Sequence, residues 1–130
     1  MPHTAASIII IVKPVGGNTN GMAAAQAQSY LTNVLNDNNR IASLKQALND
    51  VTGGKGKATG AYKFNGAAVW HASSGNGQQS VTLFYTVNGV TASIFAMGAH
   101  EGGSPAVQKY RITDFGPTTG DFAPNRVISI

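Results

Sequence analysis

Cysteine is absent from this sequence of 130 residues, so disulfide bonds and thiolate metal sites are excluded. Acidic residues are also scarce: Asp and Glu number 5 against 9 Lys and Arg, which leaves a formal net charge of +4. A basic protein attracts polyanions, nucleic acid included. The cations are few and form no continuous block, so any site for an anion is expected to be small.

Long apolar runs are missing as well. The run IIIIV at residues 8–12 is far shorter than the roughly 20 residues of a membrane-spanning helix. It is also too short for the core of a signal peptide, and no basic segment precedes it. We therefore expect no membrane association, and a protein that is cytoplasmic or exported without a cleaved signal.

The stretch at residues 80–101 predicts the central feature of the fold, a β-hairpin. Apolar and mixed positions alternate on either side of residues 88–89, an Asn-Gly pair that suits a two-residue type I′ turn. In this register Leu83 lies opposite Ile94, and Met97 lies on the mixed face. A hairpin that is apolar on one face only is typical of an antiparallel sheet covered on that face.

The length of 130 residues indicates one domain, residues 1–130, and the pattern along it predicts an α+β fold. An N-terminal strand precedes a helical hairpin and an antiparallel meander sheet of four to five strands. Leu31, Leu44, Leu83 and Ile94 are expected in one core. The predicted elements besides the central hairpin are a strand at residues 7–12, helices at 21–37 and 40–51, a flexible basic loop at 53–60, and strands at 61–64, 67–72, 107–113 and 126–130. The first helix is expected to be capped by one of residues 18–20, and turns are expected at 36–39, at the Asn-Gly pair 65–66 and at 102–105.

Histidines are the first candidates for chemistry, because they titrate near neutral pH and suit general acid–base catalysis. His100 closes the central hairpin, His71 lies near the end of another strand, and His3 lies near the start of the chain. Both strand-end histidines could equally be ordinary polar residues. Because HxH, HExxH and clustered carboxylates do not occur in the sequence, we expect no metal and no cofactor.

Cations beside aromatic residues are the second signal. The segment 109–111 (Lys-Tyr-Arg) places Lys109 and Arg111 on one strand face with Tyr110 opposite, and Lys63 follows a tyrosine in an earlier strand. Such residues can hold a nucleic-acid backbone while bases stack on the rings. The residues expected to contact RNA phosphates are Lys55, Lys57, Lys63, Lys109 and Arg111.

The central hairpin resembles that of the RelE/ParE-type toxins, a bacterial superfamily that includes small ribonucleases. A strand of the sort LVYxV there turns into a run like VxVxAIGHR; here LFYTV stands at residues 83–87 and ASIFAMGAH at residues 92–100. YKF at residues 62–64 resembles the strand that opens the family's sheet. RNA-cleaving members usually carry a basic residue before the hairpin, where this chain has Gln78 and Gln79.

The resemblance implies a function and a set of roles. In the RelE branch it implies cleavage of RNA at the ribosome, in the ParE branch gyrase poisoning, and it suggests a cognate antitoxin or immunity protein as partner. His100 would act on the scissile phosphate, Lys63 would lie near that phosphate, and Tyr110 or Arg111 would supply a late aromatic or basic group. His71 is a further candidate with a weaker tie to the family motif.

The sequence is therefore compatible with two different functions. One is a metal-independent ribonuclease; the other is a non-catalytic protein-binding or assembly module with a neutral polar surface and exposed strand edges. The ribonuclease requires His100 to converge in one cleft with at least two of a set of five residues. These are Lys63, His71, Lys109, Tyr110 and Arg111.

Overall fold

A computed structural model describes residues 7–10, 23–103, 107–117 and 119–130. It has two helices and a seven-stranded sheet, which confirms the predicted α+β class. The elements are β1 (Ser7–Ile10), α1 (Ala24–Leu35), α2 (Ile41–Thr52), β2 (Lys57–Phe64), β3 (Ala67–Ser74), β4 (Val81–Asn88), β5 (Thr91–Gly103), β6 (Gln108–Phe115) and β7 (Val127–Ser129).

The strands after the helices form a continuous antiparallel meander in the order β2-β3-β4-β5-β6-β7. The predicted count of four to five was too low, because six strands follow the helices. Part of the predicted flexible loop at 53–60 belongs to β2, which begins at Lys57. The first strand, β1, runs parallel to β5 and pairs with its start, while β6 pairs with its later part. These two strands therefore share one edge of β5.

The central hairpin forms, but its turn differs from the predicted one. Asn88 pairs with Thr91, so the two turn residues are Gly89 and Val90. Gly89 has a φ of 62° whereas Asn88 has no positive φ, which is inconsistent with a type I′ turn over Asn88 and Gly89. Pairing moves by two residues relative to the prediction, so each side chain at the start of the hairpin keeps its face.

A bulge in β5 then changes the faces of the residues that follow it. Tyr85 pairs with Ile94 but Phe84 pairs with Ala96, so Phe95 is the extra residue. The side chains of β5 after Phe95 therefore lie on the opposite face of the sheet from the one predicted. Met97 packs in the core under the helices rather than on the mixed face.

The sheet curls until its two outermost strands meet. The Ser129 amide of β7 donates a hydrogen bond to the Tyr62 hydroxyl of β2 at 3.3 Å, and the Phe64 ring of β2 stacks on Phe95 of β5 at a centroid distance of 4.0 Å. The concave face, which is the face turned away from the helices, holds an apolar cluster. Its buried members are Val69, Phe84, Phe95, Ala96, Tyr110, Ile112, Phe122 and Ile128.

Both helices cover the opposite face of the sheet. Leu31 of α1 and Leu44 of α2 lie in one buried cluster with Leu83 and Ile94, as predicted. A 3₁₀ helix at Asn38–Arg40 joins the two helices, so the predicted helical hairpin lacks the simple turn expected at residues 36–39. Within the described residues, neither helix is long and apolar enough to cross a membrane.

Leu83 provides a test of this core. Its side chain is fully buried between the sheet and the helices, so Leu83→Ala is expected to lower the free energy of unfolding by roughly 2–5 kcal/mol. Urea denaturation measures the change. Val90→Ala is the control, because Val90 is 60% exposed and its truncation should have an effect within about 0.5 kcal/mol. Equal losses in the two variants would contradict this assignment of the core.

A buried ion pair fastens the start of α2 to the sheet. Arg40 donates to both carboxylate oxygens of Asp114, at 2.9 and 2.8 Å, although sequence reasoning gave neither residue a role. The same guanidinium donates to the backbone carbonyls of Ser80 and Gly98 at 3.0 and 3.2 Å. One side chain thus holds a helix against β5, β6 and the start of β4.

A few expectations from the sequence lie outside the described residues. These are the role of His3, the cap of the first helix at residues 18–20, the continuation of the first strand through residues 11–12, and the turn at residues 104–105.

Candidate functional site

Polar side chains line one end of the concave face, next to the apolar cluster. The register places His71 of β3 beside Phe84, and His100 of β5 beside Tyr110 of β6. The hydroxyls of Ser73 and Thr82 lie one row further along β3 and β4 and are 2.8 Å apart. Alternate residues of a strand share one face, so His71 and Ser73 both lie on the concave face of β3. Val69, on the same face of this strand, belongs to the apolar cluster.

His71 is held in one tautomer. Its Nδ1 lies 3.0 Å from the carbonyl oxygen of Lys57, which can only accept, so Nδ1 carries the proton and Nε2 keeps its lone pair in the neutral ring. Burial lowers the pKa of His71 below its usual 6.5; the hydrogen bond to the Lys57 carbonyl opposes this shift, and the nearby Lys57 charge adds to it. The ring is therefore neutral at neutral pH.

His71 lines a pocket of about 300 Å³ at the junction of α2, β2 and β3. Lys55 and Lys57 are exposed lysines of this pocket, and Tyr110 forms part of its wall. Burial raises the pKa of Tyr110 above 10.0, so its hydroxyl keeps its proton and can donate a hydrogen bond. The pocket is thus lined by a neutral imidazole, a phenol, two cations and the acidic side chain of Asp50. Its lining residues are Asp50, Lys55, Lys57, His71, Ala72, Ser73 and Tyr110.

A glycine allows the chain to bring these lysines to His71. After α2 ends, the Lys55 amide donates to the carbonyl of Asp50 at 2.8 Å, and the chain then passes over Tyr85 at Gly56. A Cβ at Gly56 would overlap the Tyr85 hydroxyl, so only glycine fits this close approach. Burial, reinforced by the charge of Asp50, raises the pKa of Tyr85 to about 12. Immediately beyond Gly56, Lys57 pairs with His71.

Tyr110 connects His71 and His100, which lie within β3 and β5 rather than at the strand ends expected from the sequence. Its ring centroid lies 5.4 Å from that of His71 and 5.1 Å from that of His100. His100 lines a different pocket, and its Nε2 donates to the Gln108 side-chain oxygen at 2.6 Å. The three rings therefore form one chain of contacts, but the two histidines do not open on the same pocket.

The other predicted site residues lie elsewhere. Arg111 is on the face of β6 opposite to Tyr110, as is Lys109, and Arg111 forms a bidentate ion pair with Glu101 at 2.6 and 2.9 Å. Lys63 is exposed near the far end of β2, beside the turn at residues 65–66. Of the residues chosen from the sequence, the structure thus groups His71, Tyr110, Lys55 and Lys57 around one pocket, but not His100, Lys63, Lys109 or Arg111. Among the described residues, Arg111 alone of the set of five lines the pocket at His100, so the convergence required of a ribonuclease centred on His100 is not met.

Sequence reasoning did not identify Asp50 and Ser73, which also line the pocket at His71. Ser73 lies two residues after His71 and therefore shares its strand face, which alternation could have indicated. Asp50 has no such local signal, because it joins the site only through the packing of α2 against β3. Within the part of the chain that the structure describes, no group of three or more His, Asp or Glu side chains could hold a metal ion.

Comparisons with known proteins do not extend this picture. No protein-family model matches the chain, and neither a curated protein nor a solved structure is similar to it at a significant level.

Proposed function

We propose that this protein is a metal-independent endoribonuclease whose reaction centre is the pocket at His71. The observation that carries the proposal is the state of His71: buried, neutral, and held with Nδ1 protonated beside two lysines. A neutral imidazole with a free lone pair is suited to accept a proton, and cations beside it suit a phosphate. The proposal shifts the main catalytic role from His100 to His71.

The proposed reaction is transesterification of RNA. Nε2 of His71 takes the proton of a 2′-hydroxyl, and the 2′-oxygen attacks the adjacent phosphorus. The bond from phosphorus to the 5′-oxygen breaks, that oxygen takes a proton from water, and a 2′,3′-cyclic phosphate remains. The hydroxide left by the water takes up the proton held by His71, which restores the neutral ring. Lys55 and Lys57 stabilise the negative charge that develops on the phosphate oxygens, and the Tyr110 hydroxyl donates a hydrogen bond to one of them.

The substrate class is the one that the resemblance to RelE/ParE-type toxins implies. RNA, free or bound to the ribosome, is the proposed substrate, and a cognate antitoxin or immunity protein is the proposed partner. The formal net charge of +4 supports attraction to RNA.

Cleavage of a defined oligonucleotide tests the proposal. The substrate is a DNA strand with a single ribonucleotide, and the control is the same strand entirely in DNA. We expect cleavage only after the ribonucleotide, a 2′,3′-cyclic phosphate product, and no loss of rate in EDTA. If neither this substrate, nor longer RNA, nor ribosome-bound message is cut, the proposal fails. Binding without cleavage would favour the alternative, a non-catalytic binding module.

Lys57 provides a separate test of RNA binding. Each phosphate contact to single-stranded RNA contributes about −0.7 to the slope of log K against log salt concentration. Lys57→Ala is therefore expected to reduce the steepness of this slope by about 0.7, as measured by fluorescence anisotropy. Lys63→Ala is the matched control, because both lysines are exposed on β2 but Lys63 lies away from the pocket. Identical slopes for the two variants would show that the RNA phosphates do not bind at the pocket that Lys57 lines.

A further inference from the structure

A second pocket, of about 360 Å³, is lined by His100, whose ring contacts that of Tyr110. Its walls include two small residues, Gly77 and Ala99, and two planar groups, the His100 imidazole and the Arg111 guanidinium. Small residues in the same pocket as planar side chains leave space for a flat ring. The amide of Gln78, at the same pocket, offers both hydrogen-bond donors and an acceptor.

Arg111 is fixed in place at this pocket. Its Nε and one terminal nitrogen donate to the Glu101 carboxylate, and its other terminal nitrogen donates to the carbonyl of Asn125 at 2.8 Å. Since Glu101 holds these edges, the flat faces of the guanidinium remain for stacking. The hydrogen bond from Arg111 also lowers the pKa of Glu101, so the pair stays ionised at neutral pH.

This pocket adjoins the one at His71. His100 lines one pocket and Tyr110 lines the other, and the two rings are in contact at a centroid distance of 5.1 Å. The two pockets are therefore linked through this pair of rings, and the nucleotide next to a phosphate at His71 is the one nearest the second pocket. Sequence-specific recognition of single-stranded RNA commonly uses bases stacked on aromatic rings or arginine planes and hydrogen-bonded at their edges.

We propose that the second pocket binds a nucleobase next to the scissile phosphate, stacked on the Arg111 guanidinium and hydrogen-bonded at its edge by Gln78. The inference rests on the proposed function, and it gives that function a base preference. His100, which the family resemblance placed at the scissile phosphate, then lies beside the base instead, and Arg111, which it offered as a late basic group, stacks on that base.

Binding of nucleosides tests the inference without involving the phosphate pocket. Adenosine, guanosine, cytidine and uridine are titrated separately into the full chain, and backbone amide NMR signals are followed. We expect at least one nucleoside to shift the amides of Gln78, Ala99 and Glu101. Arg111→Lys, which keeps the charge but loses the plane, should weaken that binding by about five-fold or more.

Arg126→Lys is the matched control, because Arg126 is an exposed arginine that lines neither pocket. Gln78→Ala is a second variant in an exposed 3₁₀ helix and should reduce the preference among the four bases. The inference is overturned if no nucleoside shifts these amides, or if Arg111→Lys and Arg126→Lys bind equally well. RNA cleavage without nucleoside binding overturns this inference alone. Nucleoside binding without RNA cleavage supports the pocket and overturns the proposed ribonuclease.

Discussion

Replacing His71 by glutamine is expected to lower the rate of RNA cleavage by about 10²–10⁴-fold, the usual contribution of a positioned acid or base. Glutamine is an uncharged polar residue of similar length to histidine, but its amide cannot accept a proton at neutral pH. The fold should therefore persist while the chemical step is lost. Single-turnover cleavage of the oligonucleotide with one ribonucleotide measures the change, and circular dichroism checks the fold.

The pH dependence of cleavage gives a second readout of the same residue. Because burial lowers the pKa of His71, the reactive neutral ring forms below pH 6.5, and the rate should rise with pH to a plateau with a midpoint under that value. This rising limb should disappear in His71→Gln. The same shift makes the folded state most stable above the usual pKa, so stability should fall as the pH drops through the lowered pKa.

His100→Gln is the matched control for His71. Sequence reasoning assigned the larger catalytic effect to His100, whereas the proposed centre predicts a smaller loss there, mainly through substrate binding. If His100→Gln abolished cleavage and His71→Gln left it intact, the assignment made from the family resemblance would hold and the one made from the pocket would be wrong.

Replacing Asp114 by alanine should have the largest effect on stability, a loss of about 3–5 kcal/mol in the free energy of unfolding. Arg40 is only 7% exposed, so removal of its carboxylate partner leaves a positive charge with little access to water. Guanidinium denaturation measures the loss. Glu101→Ala removes half of an exposed ion pair and should change the stability little.

A double variant separates the charge from the packing. Arg40→Met combined with Asp114→Leu removes both charges, so stability should recover in part relative to Asp114→Ala. Recovery should be incomplete, because the Ser80 and Gly98 carbonyls lose the donor that Arg40 supplies. No difference between Asp114→Ala and the unchanged protein would show that the pair is not buried in solution.

Local sequence signals predicted those parts of the fold that depend on near neighbours. Asn65 and Gly66 both have positive φ, at 51° and 82°, and form the predicted turn between β2 and β3. The same Asn-Gly signal at residues 88–89 gave the wrong turn. There the pairing of Asn88 with Thr91 places the turn at Gly89 and Val90, with glycine alone in the left-handed region.

The candidate site depends on contacts that no local pattern specifies. Lys57 meets His71 across a strand pairing that contains a bulge, and Arg40 meets Asp114 over 74 positions of the chain. Residue chemistry was enough to select His71, Tyr110, Lys55 and Lys57 as candidates. Only the tertiary arrangement separates them from Lys63 and Arg111, because a sequence lists cations without saying which strand face each one occupies.

The contact between β2 and β7 forms only after the ribosome has synthesised both strands. The ribosome synthesises β7 after β6, and until then the edge of β6 that pairs with β7 is open and can associate with other chains. Tyr110, whose ring contacts both histidines, pairs with Ile128 of that final strand. The wall between the two pockets thus gains its outer neighbour only after β7 has been made, so a nascent chain carries the candidate catalytic residues before it carries the strand that supports them.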